Sequence, residues 1–277
     1  MPAQAPSGRL GHALQATAGK QVLVVEGEDD KRFFEALFDL RRPTWAVSHG
    51  VVAAEGRKRA LSWTAAVDED GSPGPFAQAR CYVDRDVWTD AEVAQRQAAH
   101  GRLFVTDGWC IENLVVMLAS QGHFGGSTME QLAHIGWQEH DRDAWVRAGT
   151  FGWVWQRWQD ELSALVARQS FAMPGDLDLS SDAALHAGLT ARLGAAQQGP
   201  VDELVRRWAA RLQQVLQLDG TEQWRQAVHG KKYMRAKLKL RLASLRPNGM
   251  DEHVWIAGVV NAHLDGSVSS LLTALGL

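Results

Sequence analysis

The chain of 277 residues contains only two cysteines, Cys81 and Cys110. Each lies within or just after an apolar segment and neither belongs to a Cys-x-x-Cys pair, so we expect two buried free thiols. The ten histidines are scattered, and the segment HIGWQEH (134–140) does not match the HExxH pattern of zinc hydrolases. These features argue against a disulfide framework and against a zinc site.

Long apolar runs are missing as well. No run approaches the ~18 residues that a membrane span needs, and residues 1–20 lack the apolar stretch of a secretory signal. No GxxxxGK[ST] sequence occurs, so any dependence on ATP would come from another chain. We therefore expect a cytoplasmic protein without a membrane partner, in which residues 1–20 form a flexible tail.

Basic residues are concentrated near the end of the chain. Between Gln223 and Met250 there are eight lysines and arginines and no acidic residue, so this segment carries +8. Because the formal net charge is −3, the remainder of the chain carries −11. Acidic and basic parts are therefore separated along the sequence.

Short apolar runs alternate with helical patterns over residues 21–119. The runs QVLVV, TWAVSHGV, ARCYV and RLFVT predict four strands, and the segments DDKRFFEALFDL, GRKRALSWTAAV and IENLVVMLA predict helices between and after them. Continuous rather than alternating hydrophobicity is typical of parallel strands that are covered on both faces. We therefore predict an α/β domain with a parallel sheet over residues 21–119.

Helical patterns dominate residues 120–277, for which we predict a second, mainly α-helical domain. The segment FAMPGDLDLSSDAALHAG (171–188) is rich in Pro, Gly, Ser and Asp and predicts a loop. Within WVWQRW, the helical spacing favours Trp155 and Trp158 as core residues. Trp153 stays open between packing and a platform for stacking unpaired bases.

Acidic residues follow three of the predicted strands. Glu26 ends the first strand and Asp30 lies about one helical turn later, Asp84 and Asp86 follow the third, and Glu112 begins the helix after the fourth. Parallel α/β sheets bind ligands at the carboxyl ends of their strands, so we expect these five carboxylates to converge. Bare carboxylates raise one another's pKa, whereas Mg²⁺ prefers oxygen ligands. The pattern therefore predicts a site for Mg²⁺ or Mn²⁺.

A purely structural interpretation of the same residues is available. Asp and Glu are favoured at helix N-termini, and Asp29, Asp30 and Glu112 each occupy such a position. The pair Asp84-Arg85-Asp86 has a spacing that many proteins without a ligand share. The ordered combination of these acidic residues, each after an apolar strand, favours metal binding.

Four segments, VEGEDDKRFF, CYVDRD, LFVTDGWCIEN and HGKK, together resemble the Toprim family. This is the metal-dependent module of primases, topoisomerases and OLD-type nucleases. More closely, the segments resemble a Toprim-like family of bacterial proteins that often accompany ABC-type ATPases in phage-defence operons, including the effector nuclease of PARIS-type systems. The resemblance covers residues 21–119 well and only HGKK thereafter. It implies a Toprim-like (Rossmann-like) parallel-sheet domain, Mg²⁺-dependent cleavage of DNA or RNA (tRNA included), and an ABC-type ATPase as a regulatory partner.

The resemblance also implies roles for single residues. Glu26 would be a general acid or base as well as a metal ligand, and Lys231 of HGKK would be a second catalytic residue that contacts phosphate. Glu28 departs from the family pattern, because relatives often carry a basic residue after the glycine, and this puts the number of metals and the approach of phosphate in doubt. The implied metal ligands are Glu26, Asp30, Asp84, Asp86 and Glu112.

The basic segment, residues 225–246, has two interpretations. Met234, Leu238, Leu242 and Leu245 share one helical face, so the segment predicts an amphipathic helix with a solvated basic side. The eight unopposed positive charges favour contact with a nucleic-acid backbone. The residues expected to bind nucleic acid are Lys231, Lys232, Arg235, Lys237, Lys239 and Arg241.

Other enzyme classes fit less well. A HAD-type phosphatase would carry its DxD on the first strand, and a receiver domain would need its lysine far earlier than Lys231. A topoisomerase needs a nucleophilic tyrosine, and only Tyr82, inside a predicted strand, and Tyr233 exist. A Toprim-like scaffold that binds nucleic acid or an ATPase without cleaving stays open, as does the oligomeric state.

Overall fold

The computed structural model describes residues 9–69, 78–114, 139–165, 173, 176–193, 198–233, 249–264 and 266–277. The chain divides into two compact units, one of Met1–Val115 with Leu240–Leu277 and one of Val116–Lys239. The predicted helical domain of residues 120–277 is corrected by this division, because the C-terminal helices belong to the first unit.

The first unit contains a sheet of four parallel strands. They are β1 (Gln21–Val25), β2 (His49–Ala53), β3 (Arg80–Val83) and β4 (Leu103–Val105), in the order β2-β1-β3-β4. The central strand β1 is buried throughout Val22–Val25, as expected for continuous apolar runs that are covered on both faces. The predicted α/β class with a parallel sheet is confirmed.

Helices make up most of the remaining described structure. In chain order they are α1 (Arg9–Ala16), α2 (Glu28–Arg41), α3 (Trp45–Ser48), α4 (Arg57–Glu69), α5 (Asp90–Ala99), α6 (Glu139–Leu165), α7 (Asp182–Leu193), α8 (Gln198–Leu216), α9 (Gly220–Ala227), α10 (Gly230–Tyr233), α11 (Glu252–Ala262) and α12 (Gly266–Leu275).

Helix α2 joins the sheet to the C-terminal part of the first unit. Its predicted apolar positions Phe33, Phe34, Leu37 and Phe38 are all buried. The ring of Phe34 meets the ring of Tyr82 on β3 edge to face, with centroids 4.9 Å apart. Helix α11 packs against α2, so this helix is enclosed by the sheet and by the returning chain.

The predicted flexible tail of residues 1–20 is wrong from residue 9 onward, and residues 1–8 lie outside the described residues. Residues 9–16 form α1, and Leu14 is buried in one core cluster with Val22 and Val52 of the sheet. A Cβ atom on Gly50 of β2 would lie 2.6 Å from Thr17, so the chain after α1 approaches the strand closely at a residue without a side chain. The apolar positions of a short amphipathic helix thus tie this segment to the core.

Two predicted boundaries are also wrong. In the predicted strand TWAVSHGV, the indole Nε1 of Trp45 donates a hydrogen bond to Asp39 Oδ1 at 2.5 Å, and residues 45–48 form the short helix α3 before β2 begins. The predicted loop 171–188 ends early, because α7 starts at Asp182 and buries Leu185 and Leu189. Tertiary burial decides both cases against local composition.

The second unit is helical. Helix α6 packs against α8 and α9, and a Cβ atom on Gly149 of α6 would lie 1.5 Å from the carbonyl oxygen of Ala227. Trp155 is buried, as predicted, and its ring centroid lies 5.2 Å from that of Trp158. The ring of Trp153 has the guanidinium groups of Arg157 and Arg211 at 5.1 and 4.8 Å from its centroid. Within the part of the chain that the structure describes, no helix combines the length and apolarity needed to cross a bilayer.

Candidate functional site

The strand order places a topological switch point between β1 and β3. β2 lies on one side of β1 and β3 on the other, so the chain reverses its direction of travel across the sheet at this point. Val25 is in register with Tyr82, and Val83 with Val105, so the carboxyl ends of β1, β3 and β4 lie nearly level. Open α/β sheets bind ligands in the crevice at this position.

Glu26 leaves β1 at the switch point and turns toward β3. Its Oε1 accepts a hydrogen bond from the backbone N–H of Asp84 at 2.9 Å. Burial raises the pKa of Glu26 from its ordinary value of 4.5 to about 8, and the carboxylates of Asp86 and Asp30 add to the rise, against the hydrogen bond from Asp84 and the charge of Arg57. Glu26 therefore holds a proton at neutral pH in the metal-free protein.

Asp84 is the carboxylate whose pKa is raised by burial and by the other four acidic residues of the site. Burial raises its pKa well above the ordinary value, and four further carboxylates raise it in the order Asp30, Glu26, Asp86 and Glu112. These four, with Asp84, are the five residues that the sequence singles out as metal ligands. The structure thus brings residues from three strand ends into electrostatic range of one another at one edge of the sheet.

Asp30 has two roles. Its Oδ2 accepts a hydrogen bond from the backbone N–H of Gly27 at 3.0 Å, which caps the start of α2. It is also the carboxylate that most strongly raises the pKa of Asp84. The neighbouring Glu28 and Asp29 differ, because their side chains are 69% and 49% exposed and neither is among the groups that perturb Glu26 or Asp84.

Asp86 stands in an unusual backbone conformation. Its φ of 49° lies in the left-handed region, which residues with a Cβ atom adopt rarely and at a cost. Its backbone N–H donates to the carbonyl oxygen of Trp109 at 2.9 Å, which fixes the turn. Its carboxylate forms an ion pair with Arg57.

Arg85, between the two aspartates, holds the loop after β3 in place. Its side chain is buried, its Nε donates to the carbonyl oxygen of Trp88 at 2.7 Å, and its Nη1 pairs with Asp90 at 2.7 Å. Its backbone N–H donates to Thr106 Oγ1 at 2.8 Å. A charge-assisted network of this kind restricts the positions of Asp84 and Asp86.

Arg57 is a site residue that the sequence did not reveal. It begins α4 just after β2, and that turn is bound to β1 through hydrogen bonds of 2.8 Å from Ala54 N–H to Val25 O and from Gly56 N–H to Glu26 O. No motif marks the residue. Its position after the carboxyl end of a strand is the signal that would have pointed to it.

The indole ring of Trp88 lies beneath this arginine. The guanidinium carbon of Arg57 is 5.1 Å from the ring centroid, and that of Arg96, on α5, is 4.2 Å away. Both distances are within the range of cation–π attraction. Trp88 itself is 7% exposed, so it forms a fixed base for both side chains.

The donor set fits a hard divalent cation in its chemistry. It consists of carboxylates alone, which Mg²⁺ and Mn²⁺ favour. Burial and then mutual repulsion raise the pKa of Glu26 and Asp84, and a bound cation would relieve the repulsion. Among the described residues, however, no three or more His, Cys, Asp or Glu side chains have the arrangement of a ready-formed metal site. Metal binding would therefore require side chains such as Asp86 to exchange their present partners.

The predicted nucleic-acid-binding residues are described only in part. Lys231 and Lys232 lie in α10 of the second unit, half-buried and exposed respectively. The other four members of the predicted set lie outside the described residues: Arg235, Lys237, Lys239 and Arg241. The catalytic role of Lys231 therefore stays a prediction.

Both cysteines are buried free thiols, as expected. Burial raises the pKa of Cys81 to about 12, so its thiol is protonated and unreactive at neutral pH.

In comparisons with known proteins, no family model and no curated protein matches this chain.

Proposed function

We propose that this protein is a Mg²⁺-dependent nuclease of Toprim-like type that hydrolyses phosphodiester bonds in DNA or RNA. The observation that carries the proposal is the perturbation of Asp84 by four other carboxylates at the switch point of a parallel sheet. So dense a cluster is costly without a cation, and perturbed carboxylates in a crevice are typical of active sites.

The residues that would hold the cation are Glu26, Asp84 and Asp86, with Asp30 and Glu112 beside them. When bound, a divalent cation polarises the phosphoryl group, activates water and stabilises the leaving oxygen. Glu26, whose pKa of about 8 lies near neutral pH, is suited to take up or release a proton as general base or acid. Arg85 and Thr106 keep the loop that carries the two aspartates in place.

The substrate class is supported by the charge distribution. A polynucleotide carries one negative charge per phosphate, and the eight basic residues between Gln223 and Met250 match that chemistry. The proposed place in anti-phage defence and the control by an ABC-type ATPase rest on the resemblance of VEGEDDKRFF, CYVDRD, LFVTDGWCIEN and HGKK to Toprim effector nucleases.

A second candidate function is a scaffold that binds nucleic acid or an ATPase without cleaving. The observation that favours it is the lack, among the described residues, of a ready-formed group of three metal-binding side chains. Asp86 is engaged by Arg57, Asp30 caps α2 and Glu26 accepts the Asp84 N–H, so members of the cluster already have partners other than a metal. Cleavage assays separate the two functions.

The test uses two variants that differ only in position. Plasmid DNA and a pool of tRNA are incubated with the protein in Mg²⁺ or Mn²⁺, with and without its candidate ATPase partner. Glu26→Gln removes the carboxylate at the switch point and keeps its hydrogen-bond acceptor for the Asp84 N–H. Glu28→Gln makes the same change two residues later on an exposed side chain.

We expect cleavage by the unsubstituted protein and by Glu28→Gln, and at least a hundredfold loss in Glu26→Gln, the scale on which acid–base residues contribute. Equal cleavage by Glu26→Gln would contradict the assigned site. If the unsubstituted protein and both variants leave every substrate intact, with the partner present, the nuclease proposal fails and the scaffold is favoured.

A further inference from the structure

The ion pair between Arg57 and Asp86 joins a cation to one of the proposed metal ligands. Their side chains are 22% and 25% exposed, so the pair lies at the rim of the cluster and is open to solvent. Arg57 also lowers the pKa of Glu26, so its charge acts on Glu26 as well as on Asp86. In the metal-free protein, Arg57 supplies positive charge to a cluster that otherwise repels itself.

Arg57 has a second anchor that does not depend on Asp86. Its guanidinium carbon lies 5.1 Å from the ring centroid of Trp88, and Trp88 is buried. The backbone at the start of α4 is bound to β1 by the hydrogen bond from Gly56 to Glu26 O. If Asp86 turned to another cation, these contacts would keep the guanidinium at the same edge of the sheet.

A guanidinium released in this place has a clear use. Its planar set of N–H donors matches the oxygen atoms of a phosphate group, often with two parallel hydrogen bonds. The substrate proposed above carries its scissile phosphate to the carboxyl ends of β1 and β3, where Arg57 lies. Because the side chain of Arg57 is 22% exposed, a phosphate group can reach it from solvent.

We propose that Arg57 is the counter-ion of Asp86 in the metal-free protein and that it positions the substrate phosphate once a divalent cation takes over Asp86. This inference rests on the proposed nuclease function. In the metal-free protein Arg57 competes with the metal for Asp86, and in the metal-bound protein it binds the substrate phosphate. A residue that only stabilised the loop would not act in opposite directions on the two ligands.

The test measures both ligands in the same variants. Binding of Mn²⁺ is measured by calorimetry, and KM and kcat are measured with whichever nucleic acid the unsubstituted protein cleaves. Arg57→Gln removes the charge, and Arg57→Lys retains it. Arg96→Gln is the matched control. Arg96 lies over the same Trp88 ring at 4.2 Å, so this substitution removes one positive charge from the same neighbourhood.

For Arg57→Gln we expect Mn²⁺ to bind about fivefold more tightly, the scale of a partly exposed ion pair. We expect KM to rise about tenfold, as for the loss of one charged hydrogen-bond partner. Arg57→Lys should bind Mn²⁺ like the unsubstituted protein and show a smaller rise in KM. Arg96→Gln should change either quantity by less than about twofold.

The inference is overturned if Arg57→Gln binds Mn²⁺ unchanged or more weakly while the unsubstituted protein binds it and cleaves, and the nuclease function then still stands. Arg57→Lys serves the same purpose if Arg57→Gln does not fold, because a large loss of Mn²⁺ affinity with the charge retained contradicts competition for Asp86. If the unsubstituted protein neither binds Mn²⁺ nor cleaves, the proposed function fails and the inference fails with it.

Discussion

At the scale of single residues, the acidic run after β1 separates into two groups. Glu26 and Asp30 both raise the pKa of Asp84, after burial, whereas Glu28 and Asp29 are exposed. The interval of about one helical turn between Glu26 and Asp30 allowed this pair to be predicted from the sequence. Arg57 was not predicted, because a single arginine among the basic residues at the start of a helix forms no motif. Its contacts with Asp86 and Trp88 identify it as a site residue, and only the structure shows them.

Glu26 makes the stability of the metal-free protein depend on pH. Its pKa is about 8 in the folded protein against an ordinary 4.5, so the folded state holds a proton that the unfolded state releases. Its stabilising contribution is therefore complete below pH 4.5 and is lost as the pH rises toward 8. Glu26→Gln stays neutral, so it should nearly match the unsubstituted protein at pH 4.5 and exceed it by about 4 kcal/mol at pH 8.5.

Urea unfolding in EDTA at the two pH values measures this difference. Glu28→Gln is the control, because its exposed carboxyl is not among the groups that perturb Glu26 or Asp84, and it should shift the curves by no more than about 0.5 kcal/mol. If Glu26→Gln were less stable than the unsubstituted protein at pH 8.5, Glu26 would not be a desolvated carboxyl with a raised pKa.

At the scale of secondary-structure elements, apolar runs predicted the existence of four strands, although β2 begins only at His49, within the predicted strand TWAVSHGV. The strand order could not be predicted, because the side of β1 on which β3 pairs is decided by crossover geometry rather than by local sequence. Helix α5 has no strong apolar face and buries none of its residues fully, which explains why no helix was predicted there. Its start is fixed by a capping box in which Thr89 and Glu92 exchange hydrogen bonds.

The C-terminal helix α12 is bound to the sheet by polar contacts at its start. Asp107, just after β4, accepts hydrogen bonds from the N–H and the hydroxyl of Ser267 at 2.8 and 2.9 Å, and Tyr82 lies 3.0 Å from that hydroxyl. Gly266 has a φ of 57°, and a Cβ atom on it would lie 2.3 Å from Asp107. Such contacts join residues more than 150 positions apart, so no local pattern reveals them.

Loss of packing on this helix should destabilise the sheet unit. Leu271 is fully buried, and Leu271→Ala should lower the free energy of unfolding by about 2–5 kcal/mol, as other buried leucine truncations do. Ser270→Ala, on the exposed side of the same helix, should change it by less than about 0.5 kcal/mol. Urea unfolding followed by circular dichroism measures both. Equal stability of the two variants would contradict the burial of Leu271.

At the scale of the whole molecule, acidic and basic residues are concentrated in different parts of the sequence. The carboxylate cluster belongs to the first unit, and the eight basic residues between Gln223 and Met250 form a segment without acidic residues that extends from the second unit into the first. The sequence predicted this separation directly from charge counts. It did not predict that the chain returns to the first unit after Lys239, because the helical pattern of the C-terminal segment is the same whichever unit it packs against.

The most direct test of the central claim is the location of Mn²⁺ in crystals soaked with MnCl₂, found from its anomalous scattering. We predict at least one peak within bonding distance of Asp84 and of Glu26 or Asp86, with the carboxylate of Asp86 turned away from Arg57. Peaks confined to other places, or no peak at millimolar Mn²⁺ above pH 8, where Glu26 is ionised, would contradict the account.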